Sequence, residues 1–212
     1  MAGLPGDLER LLHDLRGPLN AASMHLEILK RAGPGEPRAL ASLETLRQEV
    51  GRLGALLPAV FDVVALERGE PAPVDLEALV RRVVEEQAPV TVAPGPWPRV
   101  QGDARLLGLA VAHVIRNALT ATTAGGPGRR PPEVSARPAG SGQVALVVRD
   151  WGSGFRTTNA RALIRLAISP VTGKPAVGLV TTERIARLHH GTLEFRNPAE
   201  GGAEVTLVLP GA

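Results

Sequence analysis

The chain has 212 residues, 44% of them hydrophobic, with 24 basic and 21 acidic side chains and a formal net charge of +3. That length and apolar content support a folded core of one or two domains and exclude a disordered or fibrous chain. The lack of cysteine excludes disulfide frameworks, thiolate nucleophiles and zinc–thiolate sites, and scattered arginines with only two Trp and three Phe give no basic face or stacking platform for nucleic acid.

The N-terminus has no basic region followed by an apolar run, and the longest apolar stretch, 53–66, is short and interrupted by Asp62. No membrane insertion and a cytoplasmic location are therefore expected. Leu8, Leu12, Leu15, Leu19, Ala22, Leu26 and Leu29 recur in alternating steps of four and three, a heptad seam. After the turn formers Gly33-Pro34-Gly35-Glu36-Pro37, a second seam runs Leu43, Leu46, Val50, Leu53, Leu57, Val60, Val64. Two long helices with a short connection predict an antiparallel hairpin whose seams bury against each other. Two helices enclose little core, so a four-helix bundle with a second copy is expected. Pro18 and Pro58 lie inside these helices, where each removes a backbone hydrogen bond.

The pattern changes after Arg68-Gly69-Glu70-Pro71. A helix is predicted over 74–87, a short strand over 90–93, and a helix from an Asp103 N-cap to about Thr122. A Gly/Pro-rich loop occupies 125–132. Strands follow over 133–137, 143–150, 192–196 and 203–209, the second apolar enough to be buried. Between them helices are predicted over 158–167 and 179–189, the latter stopped by Gly191. The fold class is an N-terminal all-α helical hairpin, residues 1–69, followed by a C-terminal α+β sandwich, residues 70–212.

His13 follows Leu12 of the first seam and should face solvent, with Asp14 beside it to orient the imidazole or take its proton. His113 and Asn117, four apart on an apolar helix, share one face, and an amide there can hold the magnesium of a nucleotide. Asp150-Trp151-Gly152-Ser153-Gly154 ends a buried strand with a carboxylate and two glycines. A carboxylate so placed can accept a hydrogen bond from the exocyclic amine of adenine, and glycines let backbone approach a ligand.

Taken in order, these segments resemble the core of two-component sensor histidine kinases. His13-Asp14-Leu15-Arg16-Gly17-Pro18-Leu19-Asn20 is similar to the family's H box, His113-Val114-Ile115-Arg116-Asn117-Ala118 to its N box, with His113 where many relatives have asparagine, and Asp150-Trp151-Gly152-Ser153-Gly154-Phe155 to its G1 box. The resemblance implies the Bergerat ATP-binding fold in the C-terminal domain, with ATP and Mg2+ as ligands. It also implies phosphorylation of His13 with Asp14 as base or orienter, Asn117 on the metal, Asp150 on adenine, and Gly152, Gly154 and Gly178 shaping the pocket. Further along, the likeness thins. The G2 stretch retains only Gly178-Leu179, with Ala176 at the first glycine position, and Ile164 and Ala167 stand where the F-box aromatics belong. Lys174 is the lid's lysine and can pair with phosphate. Gly17 stands four residues after His13, where relatives that dephosphorylate their regulators have Thr or Asn, so phosphatase activity should be weak.

The expected activity is that of a cytosolic homodimeric protein-histidine kinase that passes a phosphoryl group from His13 to the aspartate of a response-regulator receiver domain. No sensor, transmembrane or receiver pattern is visible, so input is expected from a separate sensor protein or a small ligand. An ATP-independent histidine phosphotransfer protein and a non-catalytic dimeric scaffold are the alternatives. His25, His189 and His190 lack carboxylates at metal-ligand spacing and are read as surface residues.

Overall fold

The computed structural model describes residues 6–33, 36–85, 87, 89–124, 130–169 and 172–212. The predicted loops at 34–35 and 125–129 and the seam side chain of Leu8 lie outside the described residues. The chain divides into two compact units: the residues up to Ala65 together with Arg165–Val177, and Leu66–Ile164 together with Gly178–Ala212.

The first unit is built on α1 (Gly6–Arg31) and α2 (Pro37–Val64), a packed pair of long helices. Proline at the first position of α2 costs no intrahelical bond, because that N–H would have no partner anyway. Lys30 and Arg31 put positive charge at the C-terminal end of α1, where the helix dipole is negative.

The predicted seams are buried only in part. Leu11, Leu56 and Val63 are buried, whereas Leu12, Leu57 and Val64, each one position later, are exposed, together with Leu19, Leu26, Leu43 and Val50. Among the described seam residues Ala22 and Val60 are the fully buried ones. The contact within the hairpin uses a stripe beside the heptad seam, and a one-residue step turns a side chain about 100° around a helix. Leu12, Leu19, Leu26, Leu43, Val50, Leu57 and Val64 are therefore left facing outward, while Leu15, Leu29, Leu46 and Leu53 of the seam are half-buried.

Within this unit the segment Arg165–Val177 forms a short hairpin of its own. Ala176 N–H donates to Ala167 O at 2.7 Å and Ser169 N–H to Lys174 O at 2.8 Å, with a bridge between Ile168 and Pro175. Residues 170–171 within it lie outside the described residues.

The second unit begins with β1 (Ala72–Val74), α3 (Leu76–Glu85), β2 (Thr91–Val92), β3 (Val100–Gly102) and α4 (Ala104–Ala124). It continues with β4 (Glu133–Gly140), β5 (Gln143–Arg149), α5 (Ala160–Leu163), α6 (Gly178–Leu188), β6 (Thr192–Arg196) and β7 (Glu204–Pro210). Five strands form one sheet in the order β2-β4-β5-β7-β6, parallel only between β2 and β4. β1 and β3, which periodicity did not show, pair separately and antiparallel. Three-residue strands, one containing Pro73, carry no readable alternation.

Helix α4 buries Leu106, Leu107, Ala110, Val111, Val114, Ile115 and Ala118, two adjoining stripes that pack with α3, α6 and the Val144, Leu146 and Val148 face of β5. It is long and apolar enough by composition to cross a membrane, yet this buried face makes it the central helix of a folded core. Each large apolar side chain buried here contributes about 1.5–3 kcal/mol. Asp103 caps α4 as predicted, its Oδ1 accepting the N–H groups of Arg105 at 2.9 Å and Leu106 at 3.2 Å.

Two expectations are corrected. The helix predicted over 158–167 is reduced to the single turn α5, because Arg165 onward leaves to join the first unit. The residue that ends α6 in a left-handed conformation is His190, at φ 56°, rather than Gly191. His190 N–H bonds Arg187 O and Gly191 N–H bonds Ala186 O, the paired bonds of a Schellman ending. Glycine is needed at 191 for another reason: a Cβ there would collide with Val208 O on β7.

Candidate functional site

In the first unit, His13 lies on the outer surface of α1 with its side chain 79% exposed, as its place beside the seam implied. Asp14 is half-buried. Its Oδ1 stands 3.7 Å from His13 Nδ1, and its Oδ2 accepts the backbone N–H of Leu166 at 2.9 Å. One carboxylate thus faces an exposed imidazole with one oxygen and holds main chain with the other. Such a histidine is accessible to an incoming electrophile, and such a carboxylate can orient the ring or accept its proton.

In the second unit the chemistry gathers around one face of α4. His113, Asn117 and Ala121 recur every four residues and so lie along one stripe. At one end of the stripe, a Cβ built on Gly178 would stand 3.4 Å from His113 Nδ1, and at the other a Cβ on Gly152 would stand 2.7 Å from Ala121 O. Asn117, exposed, lies between these two glycine contacts along the helix. Burial followed by the charge of Arg116 lowers the pKa of His113, which keeps the ring neutral near pH 7.

Asp150 is only 6% exposed at the end of β5. Its Oδ1 accepts two backbone N–H groups, Gly152 at 2.8 Å and Ala203 at 3.2 Å, while Oδ2 has no hydrogen bond among the described residues. The main chain is tightly packed at this sheet end: a Cβ on Gly202, at φ +74°, would overlap the backbone carbonyl of Asp150. A fixed carboxylate with one oxygen in hand and one uncommitted fits an amine donor such as that of adenine. Glycine at 152 and 202 lets the main chain pass close to Ala121 of α4 and to the backbone of Asp150.

Asn197 was missed in the sequence. Its Oδ1 accepts Phe155 N–H at 2.9 Å and its Nδ2 donates to Phe155 O at 2.8 Å, clamping the loop after Asp150. Gly154, at φ +76°, leaves only 3.0–3.1 Å between a built Cβ and Gly202 O or Asn197 Oδ1. Phe155 in turn meets Phe195 edge-on at 5.5 Å. An Asn-Pro pair after a strand marks a turn, but nothing local names Phe155 as its partner. Lys174 is exposed in the segment that joins the first unit, bonded through its backbone to Ser169 and Thr172.

The three remaining histidines divide. His190 is exposed and His25 half-buried, but His189 is 1% exposed, against the surface reading. Among the described residues no group of three or more His, Cys, Asp or Glu side chains is placed to hold a metal.

Residues 102–212 match the family model of the histidine kinase-, DNA gyrase B- and HSP90-like ATPases. The chain belongs to this family. The sensor-like histidine kinase SenX3 of Mycolicibacterium smegmatis is 24% identical over 216 residues, covering 93% of this chain and 55% of its own. The sensor-type histidine kinase PrrB of Mycobacterium tuberculosis is 27% identical over 211 residues, covering 94% of this chain and 46% of its own. The chain thus spans about half the length of the curated relatives it matches. Among solved structures, the ATP-binding domain of PrrB from Mycobacterium tuberculosis superposes with a TM-score of 0.53 at 28% identity, over 68% of this chain and 99% of that one. Full-length ShkA in complex with AMPPNP superposes with a TM-score of 0.60 at 24% identity, over 99% of this chain and 46% of that one, a likeness of fold. Histidine-kinase ATPase architecture in the second unit is thereby established, and the helical pair before it shares the fold of such kinases.

Proposed function

We propose that the chain is the transmitter core of a protein-histidine kinase, with residues 1–69 carrying the phospho-acceptor and residues 70–212 binding ATP. Asp150 reads the adenine amine through Oδ2, and Gly152, Gly154 and Gly178 let main chain approach the ligand. Asn117 holds Mg2+, which when bound neutralises phosphate charge, and Lys174 pairs with phosphate. Nδ1 or Nε2 of His13 accepts the γ-phosphoryl group with ADP as leaving group, and Asp14 orients the ring and takes its proton. The phosphoryl group then passes to an aspartate of a response-regulator receiver domain.

The observation that carries this reading is the state of Asp150, a buried carboxylate fixed by two N–H groups with an oxygen left over, in a chain whose relatives are sensor histidine kinases. A cytoplasmic homodimer, with input from a separate sensor protein or ligand, completes the proposal.

Radiolabelled ATP with magnesium tests it. Acid-labile, alkali-stable label on the wild-type chain, absent from His13→Gln while nucleotide binding persists, is the expected result. Label acquired from a phosphorylated receiver domain but never from ATP would instead make the chain a phosphotransfer protein. No label from either source would leave a dimeric scaffold.

A further inference from the structure

The segment Arg165–Val177 interrupts the second unit in sequence but folds with the first. Its anchor is specific. Leu166 is buried, and its N–H donates 2.9 Å to Oδ2 of Asp14, the residue next to His13 and 152 positions away in sequence. On its other side the segment, through Arg165–Ile168 and Gly173, lines a groove with Gln48, Glu49, Arg52 and Ala55 of α2. The hairpin bonds from Ala167 to Ala176 and from Ser169 to Lys174 make the segment a preformed unit, so holding Leu166 holds the whole of it.

We infer that Asp14 is a latch as well as a neighbour of His13: its carboxylate docks the 165–177 hairpin on α1, and this docked form is the resting state of the chain. The arrangement has a direct chemical consequence. While Oδ2 carries the Leu166 N–H, that oxygen is committed to main chain and is not available to the adjacent imidazole. Releasing the hairpin frees that oxygen. If the segment is also the phosphate lid, which rests on the proposed function, nucleotide and latch compete for it, because one hairpin cannot be held in two places.

Amide hydrogen exchange on the full chain tests the latch without any reference to catalysis. In the nucleotide-free protein, peptides from 165–177 should be protected. Asp14→Ala should speed their exchange about ten- to a hundred-fold, the range associated with losing a hydrogen bond to a charged group. Asp14→Asn keeps an acceptor oxygen and should stay near wild type. Leu166→Pro removes the donor while leaving the carboxylate and α1 unchanged, and should match Asp14→Ala. Equal exchange in wild type and in both donor- and acceptor-deleted variants would overturn the latch. The competition is tested separately with AMPPNP and magnesium. Asp14→Ala should bind it several-fold more tightly, and an unchanged dissociation constant alongside lost protection would overturn the link to nucleotide while leaving the docking contact in place.

Discussion

The imidazole of His189 accepts the backbone N–H of Asp103 on Nε2 at 2.9 Å, while its Nδ1 lies 2.7 Å from Ile185 O. Nδ1 must carry the hydrogen and Nε2 the lone pair, so the ring is neutral and ties the end of α6 to the start of α4. Gly102 makes room for it, since a Cβ there would stand 2.8 Å from His189 Cδ2. Burial, with the charge of Arg68 and then His190, lowers the His189 pKa from its usual 6.5 against the opposing pull of Ile185 O and Asp103.

A lowered histidine pKa gives a definite pH dependence. The unfolded chain takes up protons at higher pH than the folded one, so the contribution of His189 is present in full above about pH 6.5 and is lost as pH falls through the lowered folded-state value. His113, lowered by burial and Arg116, acts in the same direction. Urea midpoints should therefore drop between pH 8 and pH 5.5. His189→Ala should cost about 2–4 kcal/mol at pH 8, from the cavity and the orphaned Asp103 N–H, and should flatten part of that slope. A midpoint that rises on acidification would contradict the assignment of the neutral ring.

Asn197→Ala should loosen the loop after Asp150. Both hydrogen bonds to Phe155 disappear, and Phe155 keeps the edge-on contact with Phe195. We expect a loss of about 1–2 kcal/mol in thermal or urea unfolding. Asn197→Asp retains the acceptor for Phe155 N–H but not the donor and should fall between the two, so an Asp variant as weak as Ala would show that the Phe155 N–H bond carries no stability.

What was legible in the sequence was what is decided locally. Asp103 as N-cap and β5 as a buried strand rest on a few adjacent residues, and both stand as read. The burial of His189 depends on Asp103, 86 residues away, and the Asn197 clamp on Phe155, 42 away, so neither has a local signature. The helical seams show the opposite failure. Their period was read correctly, but period alone does not say which edge of the stripe meets the neighbouring helix, and Leu11, Leu56 and Val63 are buried where Leu12, Leu57 and Val64 were expected. For the candidate site, the Asp-x-Gly-x-Gly run drew attention to Asp150, whereas the departure of 165–177 to the helical unit could not be seen from residues that read as the end of a helix followed by a lid stretch.

Asp150→Asn should weaken ADP and ATP alike. The amide can still accept the Gly152 and Ala203 N–H groups with its oxygen, so the fold should survive. Its NH2 would then face the position proposed for the adenine amine, donor against donor. A loss of about 10- to 100-fold in affinity for both nucleotides, about 1.4–2.8 kcal/mol, is expected by calorimetry with magnesium. Lys174→Ala should reduce ATP binding more than ADP binding if the lysine reaches the γ-phosphate as proposed. Unequal effects of Asp150→Asn on the two nucleotides would place this carboxylate at the phosphates instead of the base.

The outward-facing seam argues for a second copy of the chain. Leu19 and Val50 are each 56% exposed and Phe61 is 68% exposed, on a pair of helices that also leave Leu12, Leu26, Leu43 and Leu57 in contact with solvent. A heptad-spaced apolar stripe of this kind is stable in water when another helix covers it. Because these side chains are not part of the contact within the hairpin, charge placed among them should separate copies without unfolding the chain. Wild type should be a dimer by light scattering at micromolar concentration. Val50→Glu and Leu19→Glu should each shift it to monomer with unchanged far-UV circular dichroism, whereas Leu56→Glu, buried within the hairpin, should lose helicity as well. A wild-type monomer at that concentration, or a Val50→Glu protein that unfolds, would show that the exposed seam is not where two copies meet.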